Sequence, residues 1–165
     1  MEDGPLIFGH MGSVLTQLEY SGLATWIRES GVLYGYPLIL FLHTLGLGTL
    51  VGLNSAIDLR LLGFGSGIPL TSLERTFWLM WAGFALNAAT GSLLFISDAT
   101  KHASNPAFYV KLVFVALAVV TLGRIWSQVF RGHKSGRFLA AASLGCWCVA
   151  LGAGRLMAYV IEFVS

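Results

Sequence analysis

Four apolar stretches, each about as long as a lipid bilayer is thick, constrain this chain more than any other feature of its sequence. They cover residues 33–56, 77–97, 107–127 and 138–163. Each reaches the roughly 20 residues a helix needs to cross a hydrocarbon core of about 30 Å. Helix is the open choice for them, because lipid offers no partner to an unpaired backbone group. Composition points the same way: 56% of the 165 residues are hydrophobic, 11% are charged, and the mean hydropathy is +0.75. Soluble domains carry about 25% charged residues, so this supply is too small to clothe a water-facing surface. A net charge of +2 gives no footing for nucleic acid. The expectation is an all-α protein, a four-transmembrane-helix bundle over residues 31–165, solvated by a lipid bilayer.

Upstream, residues 13–30 read as one amphipathic helix. Val14, Leu15, Leu18, Leu23, Trp26 and Ile27 recur at helical spacing, with Gln17, Glu19, Arg28 and Glu29 between them. The charges favour lying in the membrane interface over crossing it, and Ser30-Gly31 should end the helix. Residues 1–30 therefore form an N-terminal tail and interfacial helix. The acidic start Met1-Glu2-Asp3 lacks the basic region of a signal peptide. Pro37 and Pro106 fall in the first turns of their spans, where a missing N–H costs little. Thr71-Ser72-Leu73-Glu74 has the pattern of a capping box for the second span. Arg60 and Arg75 flank the first connector and Arg124, Arg131, Lys134 and Arg137 the third, whereas Lys101 in the second is offset by Asp98. The positive-inside rule then makes the basic connectors cytoplasmic and puts both termini outside.

That topology turns sequence positions into depths. His43 lies about ten residues, or roughly 15 Å, inward from the start of the first span, and Arg155 about eight residues, or roughly 12 Å, below the end of the fourth. Lys111 enters the third span from the same side, with Asp98, His102 and Glu162 forming a rim above. His43, Arg155 and Lys111 are expected to share one layer in the outer half. Intramembrane charges are costly and usually face a bundle interior with a partner. No carboxylate lies at this depth, so an anionic ligand such as a haem propionate, or a quinone carbonyl, would complete the layer. The alternative is that Lys111 and Arg155 snorkel to the headgroups or pair with Asp98 and Glu162.

A neutral imidazole is a standard axial ligand for haem iron, which makes His43 a candidate metal ligand. The alternative for His43 is a histidine hydrogen-bonded to Asn87, Thr90 or a carbonyl. Gly46 lies three residues on, and Gly48 and Gly52 are spaced as small-xxx-small, which lets another helix or a flat ring approach the backbone. His102 is the candidate second ligand, though helical rise puts it about 10–20 Å shallower. Met80, Cys146, Cys148 and Met157 are the other soft donors, and His10 and His133 fall in the tail and a loop. On the basic side, Asp58 is expected to pair with Arg124 or Arg75 as a clasp across the bundle.

The histidine of span one, Asp58-Leu59-Arg60-Leu61-Leu62-Gly63, Thr90-Gly91, Phe108-Tyr109-Val110-Lys111 and Gly154-Arg155 together resemble a family of small bacterial four-helix integral membrane proteins, a domain of unknown function. The likeness covers the chain from Gly22 onward. More distantly, the chain is similar to HemJ-type protoporphyrinogen oxidases and CopD-type copper-resistance proteins, which share the four-helix core, the span-one histidine and a lysine entering span three. The tryptophan and histidine surroundings of those proteins are missing here, so their oxidase activity is not carried over. The resemblance implies a bacterial inner membrane and an association with haem. The leading expectation is a haem b-binding membrane subunit that carries electrons between an outer-face, periplasmic redox partner and the quinone pool. In it, His43 and His102 would ligate the metal while Arg155 and Lys111 hold the propionates. A non-catalytic anchor or assembly subunit, a protoporphyrinogen-oxidase-like enzyme and a copper or small-solute transporter are the alternatives. Four short spans with almost no exposed domain suit an oligomer or a subunit of a larger complex.

Overall fold

The computed structural model describes the backbone of residues 4–65, 67–131 and 136–164, with the side chains of 4–11, 32, 33, 70 and 158–164 outside the description. All regular structure among the described residues is helical. Three helices precede the bundle: α1 (Gly4–Glu19), α2 (Gly22–Glu29) and α3 (Gly31–Tyr34). Four long ones build it: α4 (Tyr36–Leu62), α6 (Phe77–Ser97), α8 (Pro106–Ile125) and α9 (Arg137–Val164). Short α5 (Leu70–Glu74) and α7 (Ala99–Ser104) lie in connectors. Four segments are long and apolar enough to cross a membrane, and only 11% to 28% of each is buried inside the bundle. Leu112, Val113, Leu117 and Val120 of α8 and Leu38, Leu40, Phe41 and Leu45 of α4 all face outward. An apolar surface of that extent belongs in lipid.

α4 packs along α6 and α8 along α9, and the two pairs join through α4 and α9. The ring closes where α6 meets α8 at both ends. The Phe77 ring lies tilted at 55° to that of Trp126, the residue after α8, with centroids 4.4 Å apart, and Phe95 stacks on Phe108 at 5.3 Å. The tightest crossing is between α4 and α6. A Cβ on Gly46 would stand 2.9 Å from both the Asn87 nitrogen and the Gly83 oxygen, so only glycine lets these backbones meet. Gly48 and Gly52 have nothing near them. With Phe41, Thr44, Leu45, Thr49, Leu53 and Leu79 they line an outward groove of about 590 Å³. The best-filled core, around Leu50, Ile57, Met80, Leu122, Ile125 and Trp147, sits in the half of the bundle nearest the basic connectors.

Several elements differ from the sequence expectation for local reasons. The single amphipathic helix is two helices, because Ser21 accepts a hydrogen bond from the Ala24 N–H and starts a new one. Ala24 and Ile27 are buried against the bundle, leaving Val14, Leu18, Leu23 and Trp26 exposed. Thr71–Glu74 does not cap the second span. Those residues form α5 after Pro69, and the Thr76 hydroxyl donates to the Leu73 carbonyl instead. α4 continues past Ala56 to Leu62, ending where Gly63 takes a left-handed φ of 110°. Pro106 does open the third span, with the Asn105 side chain accepting from the Ala107 N–H.

The two termini share one end of the bundle. Arg28 donates to the carbonyl of Ser97 at 2.6 Å and to that of Glu19 at 2.8 Å. Its guanidinium thus satisfies the open C-terminus of α6 and fixes α1 beside it. Glu19 reaches Thr100 in the first turn of α7, accepting from its hydroxyl at 2.7 Å and its N–H at 3.3 Å. At the same end Asn105 Nδ2 donates to the carbonyl of Met157 on α9 at 3.5 Å.

Candidate functional site

His43 lies half-buried between α4 and α6. Its Nδ1 is 3.1 Å from the backbone carbonyl of Asn87 and 3.1 Å from the Thr90 hydroxyl. A carbonyl only accepts, so Nδ1 carries the proton and Nε2 keeps its lone pair. Thr90 donates in turn to the Leu86 carbonyl at 2.6 Å, and the Asn87 side-chain amide donates to His43's own carbonyl at 2.9 Å. Gly91 leaves the ring its space: a Cβ there would lie 3.0 Å from His43 Cε1. The hydrogen bonds to Asn87, Thr90 and a carbonyl are those of the second reading of this residue. They engage Nδ1, and the Asn87 side-chain amide also stands 3.3 Å from Nδ1 and 3.4 Å from Nε2.

Lys111 comes from α8 and is also half-buried. Its Cδ and Cε pass 3.8 and 3.9 Å from the position a Cβ would take on Gly154 of α9. The ammonium is near enough to His43 for their charges to interact. Among the described residues it has no carboxylate or hydrogen-bond partner.

Arg155 stands apart from this pair. Its side chain is exposed on the outside of α9. The Asn105 bond levels Met157 with the start of α8, so Arg155 lies about 3 Å inside the bundle at 1.5 Å per residue, not 12 Å. The apolar run that defined the fourth span outlasts the bundle, and α9 continues beyond its neighbours to Val164. An exposed arginine at that level extends to the interface.

His102 keeps different company. Its Nδ1 donates to the Asp98 carbonyl at 2.8 Å, and its ring lies 6.3 Å from Phe95 and 6.1 Å from Phe108. Asp98 pairs with Lys101 at 3.6 Å. Among the described residues no group of three or more histidine, cysteine or carboxylate side chains converges on one point. Met80 is fully buried, Cys146 half-buried, and Cys148 exposed, both cysteines being free thiols. The side chains of His10, His133 and Glu162 lie outside the description.

Asp58 pairs with neither arginine. Arg75 and Arg124 are exposed, while Asp58 is fully buried beside Asn54 of its own helix and Ser143 of α9. Ser143 escaped the sequence reading. Its signal was a polar residue in mid-span with a tryptophan one turn on. Comparison with known proteins returns no matching family model, no significantly similar curated protein and no significantly similar solved structure.

Proposed function

We propose that this chain is a membrane-embedded haem b subunit, with His43 as axial ligand and Lys111 as the partner of a haem propionate. The observation that carries the reading is that two unlike groups from opposite halves of the bundle, His43 and Lys111, lie near enough for their charges to interact. One is an imidazole anchored through Nδ1 with Nε2 unprotonated, and the other is an ammonium with no counter-ion among the described residues. A metal with an anionic periphery would satisfy both once the Asn87 amide, 3.4 Å from Nε2, gave way to it, and Gly91 and Gly154 keep side chains away from the imidazole and the lysine. Haem b held there would supply one-electron redox chemistry. The residues' own work is to fix the imidazole tautomer through Asn87 and Thr90 and to balance charge through Lys111.

The second ligand and the second propionate partner remain with His102 and Arg155 in this proposal only as secondary members. Neither touches His43, and Arg155 faces outward. Electron exchange with an outer-face partner would use the end carrying α1, α2 and α7, and the basic end would face the cytoplasm of a bacterial inner membrane. An aromatic groove of about 450 Å³, lined by Phe77, Trp78, Trp81 and Trp126 together with Glu74 and Arg75, suits a quinone ring. The test is the absorption spectrum of detergent-purified protein expressed with haem supply. A Soret band is expected in the wild type. Its loss is expected in His43→Ala, with weakened haem retention in Lys111→Ala. A colourless wild type that co-purifies with a larger complex would overturn haem binding in favour of an anchor subunit.

A further inference from the structure

One group of buried polar atoms in the basic half of the bundle is incompletely partnered. Asn54 and Asp58 stand one turn apart on α4, and Ser143 and Trp147 one turn apart on α9. The first three are fully buried and Trp147 is 2% exposed. Asn54 Nδ2 donates to Asp58 Oδ2 at 2.6 Å and to Ser143 Oγ at 2.8 Å. The Ser143 hydroxyl is in turn a hydrogen-bond partner of Asp58. These contacts fix the geometry but leave Asp58 Oδ1, Asn54 Oδ1 and Trp147 Nε1 without partners. Two of those atoms accept hydrogen bonds and one donates. Native interiors rarely leave such groups unpaired unless water or an ion completes them.

The charge is also unbalanced. From α6 the neighbouring core residues are Phe77 and Met80, and from α8 they are Leu122 and Ile125. Arg75 before α6, Arg124 on α8 and Arg137 on α9 are exposed, and Arg60 on α4 itself donates to the Ile68 carbonyl at 2.7 Å. No charged group among the described residues bears on Asp58. A lone ionised carboxylate in such surroundings is expensive unless a cation or a proton neutralises it. A metal cation would be repelled by the Trp147 N–H. It would also find few free oxygens, because helical carbonyls are already bonded.

We propose that Asp58 is the proton-binding residue of a small hydrated site inside the bundle, completed by one internal water held between Trp147, Asn54 and Asp58. With Asp58 ionised, the water accepts from Trp147 Nε1–H and donates to Asn54 Oδ1 and Asp58 Oδ1, the three bonds typical of a buried water. When a proton from solvent adds to Asp58 Oδ1, the new O–H donates to the same water, which keeps its bonds to Trp147 and Asn54. Release reverses these changes. Asp58 lies four residues, or roughly 6 Å, from the end of α4, so the proton has a short route to the basic face. This site is separate from His43 and does not depend on haem.

Infrared difference spectroscopy of the full chain in lipid nanodiscs, recorded as pH is stepped in H₂O and in D₂O, tests it. The expected result is a carboxylic-acid C=O band that grows as pH falls and moves to lower frequency in D₂O. It should vanish in Asp58→Asn and persist in Asp98→Asn. Trp147→Phe retains the carboxyl and should move the titration midpoint upward, because the ionised form loses the water that the indole orients. This variant keeps the test decisive even where Asp58→Asn does not fold. Absence of any such band in the wild type, or a midpoint unmoved by Trp147→Phe, would overturn the site. So would removal of the band by sodium chloride but not by choline chloride, which would make the ligand a metal cation.

Discussion

Gly91 determines how the imidazole of His43 sits. The 3.0 Å between a Cβ at this position and His43 Cε1 is tighter than ordinary contact, and the adjacent Nδ1 is tied to Asn87 and Thr90. Gly91→Ala should therefore cost about 1–3 kcal/mol of stability, as overpacking does in a filled site. Denaturation of purified protein measures it, and an unchanged midpoint would mean that the ring swings clear. Asp58 gives a second prediction at this scale. Asp58→Ala strands the Asn54 amide and the Ser143 hydroxyl and should cost about 1–3 kcal/mol, whereas Asp58→Asn retains a side chain able to bond both and should cost less. Equal losses in the two variants would show that the hydrogen bonds contribute nothing beyond side-chain volume.

Among the elements, the α4–α6 crossing carries the clearest contrast. Between helices in lipid there is little hydrophobic drive, so close backbone packing and hydrogen bonds hold the pair. Gly46 meets the α6 backbone, and Gly48, two residues on, meets nothing. Gly46→Ala should lose about 1–3 kcal/mol, the cost of overpacking. Gly48→Ala should stay within about 0.5 kcal/mol, as surface changes do. A thermal-shift comparison of the two in one detergent checks this, and equal midpoints would contradict the crossing. The small-xxx-small spacing of Gly48 and Gly52 pointed to those two for a close approach, whereas Gly46 makes it and they have nothing near them. Only the rotation of α4 about its axis separates them, and that rotation is set by contacts with α6 and α9. Boundaries behaved similarly. The second span matches residues 77–97 because Thr76 and Asp98 bracket a continuous apolar run. The fourth was misplaced in depth because hydropathy records the length of a helix and not how far it outlasts its neighbours.

For the whole molecule, the N-terminal helices are clamped to one end of the bundle by Glu19 and Arg28. The Thr100 hydroxyl bonded to Glu19 is the main reason its carboxyl is held below the ordinary value of 4.5; the Thr100 N–H and the nearby charges of Arg28 and Lys101 act in the same direction, against a smaller effect of burial. A carboxylate whose pKa is lower in the docked state favours docking above the undocked pKa. That contribution fades as pH falls from about 4.5 through the lower, docked value. Hydrogen exchange in α1 and α2 should therefore quicken on acidification across that window. Glu19→Gln should remove that acid dependence, leaving exchange that is fast or slow at every pH. A wild-type response retained in Glu19→Gln would assign the switch to another group.

Composition and apolar run length alone make this chain four helices in a membrane, because the supply of charge and the length of those runs leave no other way to satisfy the backbone. The sequence also marked His43, Lys111 and Arg155 as an ionisable layer inside the spans, and Asp58, just past the expected end of the first, as half of a clasp with an arginine. Tertiary structure decided which of them meet. Lys111 comes within range of His43 and Arg155 turns away, Asp58 finds Asn54 and Ser143 in place of an arginine, and the amphipathic segment breaks at Ser21 to dock. Those outcomes depend on the rotation and the relative depth of each helix. Both follow from contacts between segments far apart in the chain, which periodicity along one segment does not record.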